Sequence, residues 1–293
     1  MQTVSDITAF ITGGASGIGL GMARAFAAEG AKLALADLDE TGLDEVKREL
    51  DAITEVITIP LDVRDREAMA GAADRAEAEL GPVRLLCNNA GVGSGIGGMN
   101  LETMSYEHWD HTLSVNLGGV VNGVQTFVPR MVERGGPAHV VNTSSGSGLA
   151  VTGGAQFMYC ASKYAVTGLS EAIVKLLKLH GIGLTLVSPG FVDTRIAETT
   201  RRLDPAEAAA EPMDPAYKEK LERFEKLFEP LGQDPDEVGR MVLDAIHNDQ
   251  LYCQPDRLMA EPIRSRSEAL LGAMPAETER DRKMAEAIEK ARR

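Results

Sequence analysis

"ITGGASGIGLGMARAF", residues 11–26, places five glycines in sixteen positions between an apolar run and a stretch with helical spacing. Glycine inside a helix or strand costs up to ~1 kcal/mol relative to alanine, so the cluster needs a compensating gain. The turn Thr12-Gly13-Gly14-Ala15-Ser16-Gly17-Ile18-Gly19 offers one. Its glycines permit positive φ, close approach of a bound backbone and tight contact between helix and strand. A helix from about Leu20 then directs unpaired N–H groups and a partial positive charge at a pyrophosphate.

Outward from that turn, short apolar runs alternate with longer amphipathic stretches. The runs are "AFIT", "KLALAD", "VITIPLDV", "VRLLCNNAG", "AHVVNTSS" and "GLTLVSPG". This rhythm is that of βαβ units. The runs are apolar on consecutive residues, which calls for helices on both faces of the sheet. The expected fold is α/β, a doubly wound parallel sheet of Rossmann type, with residues 1–293 forming one domain. A helix around Val238–Ile246 and a strand within "QLYCQP" are expected to close one sheet edge.

After Thr194 the strand runs stop and prolines accumulate, so residues 195–232 read as a helical insertion. Tyr217, Leu221, Phe224 and Phe228 fall on one helical stripe there, which serves either to pack on the body or to form a lid over a substrate pocket. Residues 262–293 read as a charged, helical C-terminal extension, suited to packing or subunit contact.

Composition narrows the function. Asp and Glu number 44 against 30 Lys and Arg, and the net charge of −14 disfavours nucleic acid and anionic membrane surfaces as partners. Cys87, Cys160 and Cys253 show no C-x-x-C spacing, so neither a disulfide framework nor a zinc site is expected, and a reducing cytoplasm fits. No signal-peptide pattern opens the sequence, and no apolar run reaches the ~18 residues of a spanning helix. The five histidines lack ligand spacing, so no metal is expected; His108 and His111, near Trp109, share a helix face at most.

The run "KLALAD" ends at Asp37, 18 positions after Gly19. An acid at that spacing accepts hydrogen bonds from adenosine ribose hydroxyls and repels a 2′-phosphate. Neither Ser16 nor Leu38 offers a cation for such a phosphate, so NAD is the expected cofactor.

The glycine spacing is T-G-x-x-x-G-x-G. Together with "NNAG" (88–91), "SVN" ending at Asn116, "NTSS" ending at Ser145, "YCASK" (159–163) and "SPGFVDT" ending at Thr194, it resembles the short-chain dehydrogenase/reductase family over about the first two thirds of the chain. Tyr159 and Lys163, four apart, lie on one helix face. A neighbouring ammonium is expected to lower the phenol pKa from near 10 and make Tyr159 a general acid/base. The resemblance implies that Lys163 also holds the nicotinamide ribose, that Ser145 hydrogen-bonds the substrate oxygen, and that Asn116 holds a water behind the lysine. Ser144 and Ser147 remain alternatives for the serine.

The same resemblance places Gly13, Ser16, Gly17, Ile18 and Gly19 on the cofactor. It puts Asp62 at the adenine amino group with Val63 beside it, Asn89 and Gly91 along the adenosine, and Pro189, Gly190, Val192 and Thr194 around the nicotinamide. A helix cap is the alternative for Asp62.

The implied reaction interconverts a secondary alcohol and a ketone. The small-residue segments "VGSGIGGMN" and "GSGLAVTGGAQFM" leave room for a bulky ligand, with Met99, Phe157, Met158 and Phe191 as candidate apolar walls. A looser resemblance, in "GVVNGVQTFVPRMVERG" and the tail after "LYCQP", is to bacterial dehydrogenases that oxidise the benzylic alcohol of lignin-derived aryl ethers. A steroid or another hydroxy compound is the alternative substrate, and an NAD-binding regulator without turnover the alternative role. Family members assemble as dimers or tetramers, so a homodimer or homotetramer is expected.

Overall fold

Strands that are apolar on both faces need cover on both faces, and the computed structural model of the chain shows how it is supplied. It describes residues 1–93, 105–152, 156–203 and 231–292. The strands are β1 (Thr8–Thr12), β2 (Lys32–Asp37), β3 (Val56–Pro60), β4 (Val83–Asn88), β5 (Ala138–Thr143), β6 (Ile182–Val187) and β7 (Tyr252–Cys253). They form one parallel sheet in the order β3-β2-β1-β4-β5-β6-β7. Alternate residues serve opposite cores. Phe10, Ala34 and Leu86 join Met69, Phe127 and Val166 on one side, while Ile11, Leu33 and Leu35 join Met22, Phe26 and Val242 on the other.

The helices are α1 (Gly17–Ala28), α2 (Glu40–Leu50), α3 (Arg66–Leu80), α4 (Tyr106–Leu113), α5 (Gly119–Arg134), α6 (Phe157–Leu179), α7 (Ile196–Leu203), α8 (Pro235–His247), α9 (Ala260–Gly272) and α10 (Glu279–Arg292). Asp39 caps α2, Asp65 caps α3, Ser105 caps α4 and Asp234 caps α8, each side chain accepting first-turn amides. Helix α1 starts three residues earlier than expected and differs from these. Its cap residue Ser16 makes no side-chain capping bond, and no acid sits in its first turn. The strand order reverses between β1 and β4, so a crevice opens at their C-terminal ends beside this uncapped helix.

The fifth glycine of the opening stretch has a different use. A Cβ on Gly21 would lie 2.0 Å from the Pro235 carbonyl oxygen, and one on Gly239 would lie 2.2 Å from the Gly21 carbonyl. The two glycines let α1 and α8 touch backbone to backbone. Gly239→Ala is expected to destabilise the fold by about 3 kcal/mol, the upper range for overpacking, read from the urea midpoint. A midpoint equal to the parent's would show that the helices do not meet there.

His139 on β5 is fully buried, with Nε2 2.9 Å from the Thr185 hydroxyl and Nδ1 without a partner among the described residues. Burial pushes its pKa down to about 4. The folded protein therefore favours neutral imidazole. Above the ordinary value near 6.5 the group adds no pH dependence, and as pH falls from there to 4 the unfolded chain protonates first and stability is lost. The loss is on the order of 3 kcal/mol at ~1.4 kcal/mol per pH unit. Urea unfolding at pH 7.5 and 4.5 measures it, and His139→Gln is expected to flatten the difference; an unchanged slope in that variant assigns the acid lability elsewhere.

The predicted strand in "QLYCQP" shrinks to Tyr252–Cys253, because the Gln250 amide donates to the Ala245 carbonyl at the end of α8 and Pro255 has no amide to pair. Residues 260–292 form α9 and α10, which bury none of α9's side chains. Of the insertion expected at 195–232, helix α7 and residues 231–232 are described. Residues 204–230, including the stripe Tyr217, Leu221, Phe224 and Phe228, lie outside the described residues, as does Met99. No described helix is long and apolar enough to cross a membrane.

Candidate active site

The crevice is tied together by one hydroxyl and one amide. Thr12 Oγ1, at the end of β1, donates to the Cys87 carbonyl and accepts from the amides of Asn89 (2.9 Å) and Ala90 (3.1 Å). Asn89 Nδ2 donates to the carbonyls of Thr12 (3.2 Å) and Gly13 (3.4 Å), and its Oδ1 accepts from the Thr143 hydroxyl on β5. The strand ends β1, β4 and β5 are thus fixed relative to the glycine turn. In that turn Gly13 (φ 67°) and Gly17 (φ 54°) occupy the left-handed region, where a side chain is strained. A Cβ on Gly19 would collide with the Gly13 carbonyl, so this glycine closes the turn on itself.

Asp37, at the end of β2, accepts from the Ala15 amide of the turn and from the Asp39 amide, both at 3.0 Å. Its carboxylate is thereby held next to the open end of α1. Across the crevice, a Cβ on Gly17 would lie 3.0 Å from the Thr194 methyl, which sets the loop after β6 as the second bank. In that loop the Pro189 carbonyl accepts from the Gly146 amide, the Gly190 amide donates to Asp256, and Val192 pairs with Gln233. Ser16 and Ile18 are half-buried on the turn.

Two of the expected cofactor contacts, Asp62 and Val63, have protein partners of their own. Asp62 is gripped by Arg64, whose guanidinium reaches it at 2.6 Å and whose amide adds a bond at 2.9 Å. Burial works to raise this carboxyl, and the Arg64 bonds outweigh it, holding Asp62 below the usual carboxylate range. It is also not a helix cap, since Asp65 fills that position on α3. Val63 turns its side chain into the core, where a Cβ on Gly119 would meet it at 2.7 Å, so only its main chain faces outward duties.

Helix α6 sets Tyr159 and Lys163 on one face, with Lys163 Nζ 5.7 Å from the centre of the Tyr159 ring. Lys163 is buried and donates to the Thr143 carbonyl at 3.1 Å; burial pushes its pKa down to about 8. The Tyr159 phenol moves opposite to the expected direction. Burial raises its pKa, and a hydrogen bond with Ser145 pulls the other way without cancelling the rise. The loss of hydration on the phenolate dominates, with the ammonium 5.7 Å from the ring centre.

The three serines separate by their partners. Ser144 donates to the Lys163 carbonyl at 2.9 Å and meets Thr167 at 2.9 Å, deep in the core. Ser147 hydrogen-bonds the Cys160 thiol. Ser145 alone of the three faces the phenol, with its Oγ also accepting from the Ser147 amide.

Asn116 sits in a π turn, Ser114–Gly118, a widened stretch of helix common at functional sites. Its side chain accepts from the Val92 amide (2.8 Å) and donates to the Val92 carbonyl (2.9 Å) and to Ser162 (3.0 Å). Ser162 in turn donates to the Tyr159 carbonyl. A Cβ on Gly91 would fall 3.1 Å from Asn116 Oδ1 and 3.3 Å from Lys163 Nζ, so the "NNAG" backbone runs directly against both.

Thr12, Thr143 and Ser162 were not singled out from sequence. Ser162 carried a signal, being three residues from Tyr159 and thus on its face of the helix. Of the expected apolar walls, Met158 is fully buried, while the Phe157 ring lies tilted against Trp109 with ring centres 6.1 Å apart. His108 completes a capping box with Ser105 on α4, and no group of three metal-binding side chains occurs among the described residues.

Comparison with known proteins bears on this arrangement. A family model described as short chain dehydrogenase matches residues 7–204. A C alpha-dehydrogenase of a Sphingobium species is 35% identical, spanning 98% of this chain and 94% of its own length. Among solved structures, a short-chain dehydrogenase/reductase from Burkholderia phymatum in complex with NAD superposes with a TM-score of 0.85 at 31% identity, covering 95% of this chain and 99% of that one. The apo form of LigO from Sphingobium strain SYK-6 gives 0.79 at 33% identity, covering 100% and 98%. With the sheet order, the glycine turn and the Tyr159–Lys163 helix already in place, the chain belongs to the short-chain dehydrogenase/reductase family.

Proposed function

We propose that the protein is an NAD-dependent oxidoreductase that interconverts a secondary alcohol and a ketone, with Tyr159 as general acid/base. The observation that carries the reading is the convergence of the Ser145 hydroxyl and the buried Lys163 on the Tyr159 phenol. The crevice fits a dinucleotide. The uncapped N-terminus of α1 suits a pyrophosphate, the positive-φ glycines leave space for it, and Asp37 stands where a free ribose diol would be recognised.

NAD supplies, when bound, the ring that takes or returns the hydride. The chain's own residues do the rest. Ser145 and Tyr159 hold the substrate oxygen from two sides. During oxidation the Tyr159 oxygen accepts the carbinol proton, and during reduction it gives that proton back. Lys163, 5.7 Å from the centre of the phenol ring, would hold the nicotinamide ribose hydroxyls with its remaining N–H groups. Asn116 fixes Val92 and, through Ser162, the first turn of α6, so the phenol and the "NNAG" backbone keep their spacing.

The substrate we infer is a bulky, apolar secondary alcohol of the aromatic, lignin-derived benzylic kind. Similarity to the Sphingobium C alpha-dehydrogenase along nearly the whole chain supports this class, as does the glycine-rich stretch that follows Ser145. Turnover of a panel of aryl, steroid and aliphatic alcohols with NAD tests it. Benzylic alcohols are expected to give the highest kcat/KM, and activity confined to short aliphatic or sugar alcohols removes the assignment. We further place the protein in the cytoplasm, a reading supported by its three free cysteines, and expect a homodimer or homotetramer, which light scattering checks.

A further inference from the structure

The C-terminal segment lies beyond residue 204, where the family-model match ends, and its first residues lie against the loops that carry the chemistry. The Asp256 carboxylate accepts from the Gly190 amide at 2.9 Å and from the Leu258 amide at 2.8 Å. One side chain therefore joins the loop after β6 to the root of the tail. Three residues on, Met259 lies over Gly146. A Cβ added there would sit 2.6 Å from Met259 Cγ and 3.1 Å from its sulfur. Gly146 follows Ser145 directly, and its amide donates to the Pro189 carbonyl at 2.8 Å. The serine loop is thus held between Pro189 on one side and Met259 on the other. Farther along, Arg266 of α9 lies 5.4 Å from the ring of Tyr164, one residue past Lys163 on α6.

We propose that Asp256 and Met259 are positioning residues for the reaction. Met259 packs on the serine loop and sets where the Ser145 hydroxyl meets the substrate oxygen, while Asp256 holds the Leu258 amide, just ahead of Met259, and the Gly190 loop in one frame. The proposal rests on the reading of Ser145 as a donor to the substrate. It gives the root of the tail a task that neither packing nor subunit contact describes. A thioether is soft and unbranched, so Met259 also adapts its shape to a bulky substrate edge.

A double-mutant cycle tests it on the full chain. Gly146→Ala forces a Cβ into Met259, and is expected to lower kcat/KM for the best alcohol by about 10²-fold, the scale of a 1 Å misplacement at a reacting group. Gly146→Ala combined with Met259→Ala is expected to recover to within about threefold of Met259→Ala alone, the non-additivity that direct contact produces. The affinity for NAD is measured in all three by fluorescence titration and is expected to stay within about tenfold of the parent; a larger loss would move the effect to the Pro189 loop beside the nicotinamide and overturn the proposal. Asp256→Ala, in an exposed loop, provides a second arm. It is expected to raise KM for the alcohol about tenfold with the melting temperature unchanged, and Asp256→Asn, which keeps an acceptor, to restore most of the loss. Additive effects of Gly146 and Met259, together with a neutral Asp256→Ala, overturn the proposal while the dehydrogenase reading stands. Absence of turnover by the parent protein on every alcohol class overturns that reading, and this inference with it.

Discussion

Tyr159→Phe is expected to lower kcat for alcohol oxidation by about 10³-fold, within the range that a positioned proton carrier supplies, with NAD affinity unchanged. The substitution deletes one oxygen from a half-buried ring and leaves the helix that bears it intact. That oxygen is the atom to which Ser145 is bonded and toward which the Lys163 charge is directed. Without it, Ser145 still polarises the substrate, but no group accepts the carbinol proton. Burial raises the phenol's pKa, and the hydrogen bond with Ser145 is the pull that opposes it. Steady-state rates with a fluorescence titration of NAD check both halves. A variant that turns over alcohol at the parental rate would remove Tyr159 from the chemistry, and a variant indistinguishable from an inactive parent would favour an NAD-binding regulator.

The second large effect concerns the cofactor. Asp37→Arg is expected to cut kcat/KM for NAD by about 10²- to 10³-fold, because two hydrogen bonds from ribose hydroxyls to a carboxylate are each worth roughly 1.5–3 kcal/mol. The same change is expected to raise activity with NADP, since a cation replaces the charge that repels a 2′-phosphate. The structure does place cations at this end of the crevice that the sequence pattern left out. Arg202 lies 3.6 Å from Asp39, and Arg64 is paired with Asp62. Each is matched by its own carboxylate, so Asp37 remains the group that sets the sign of the field. Asp37→Asn separates the contributions. It retains an acceptor for the Ala15 amide, so an intermediate loss with NAD assigns the effect to charge, whereas a loss equal to that of the arginine variant assigns it to collapse of the turn. Kinetics with both dinucleotides decide this, and unaltered NAD preference in Asp37→Arg would displace the ribose from Asp37.

Much of the sheet was legible because its strands are written as consecutive apolar runs and its crevice as local motifs. The turn at 12–19 and the pair Tyr159–Lys163 depend on residues a few positions apart, and Asp37 on an 18-residue spacing within one βαβ unit, and such spacing survives without knowledge of the tertiary structure. What stayed hidden depends on distance along the chain or on solvent. The role of Gly21 is fixed by Pro235 and Gly239, and that of Gly146 by Met259, partners far removed in sequence. The reach of Arg64 to both oxygens of Asp62 is a side-chain conformation that the motif does not record. The direction of the Tyr159 shift depends on how much water reaches the phenol, which no spacing between Tyr159 and Lys163 encodes.

The backbone contact between Gly21 and Gly239 links the start of the chain to its last quarter. During translation, α1 emerges early with Met22 and Phe26 bare of the Val238 and Val242 that later cover them. The nascent protein therefore waits with an apolar stripe open behind its glycine turn until residues 235–247 have left the ribosome. A chain truncated ahead of α8 would leave that stripe uncovered and is expected to aggregate rather than fold into a smaller enzyme.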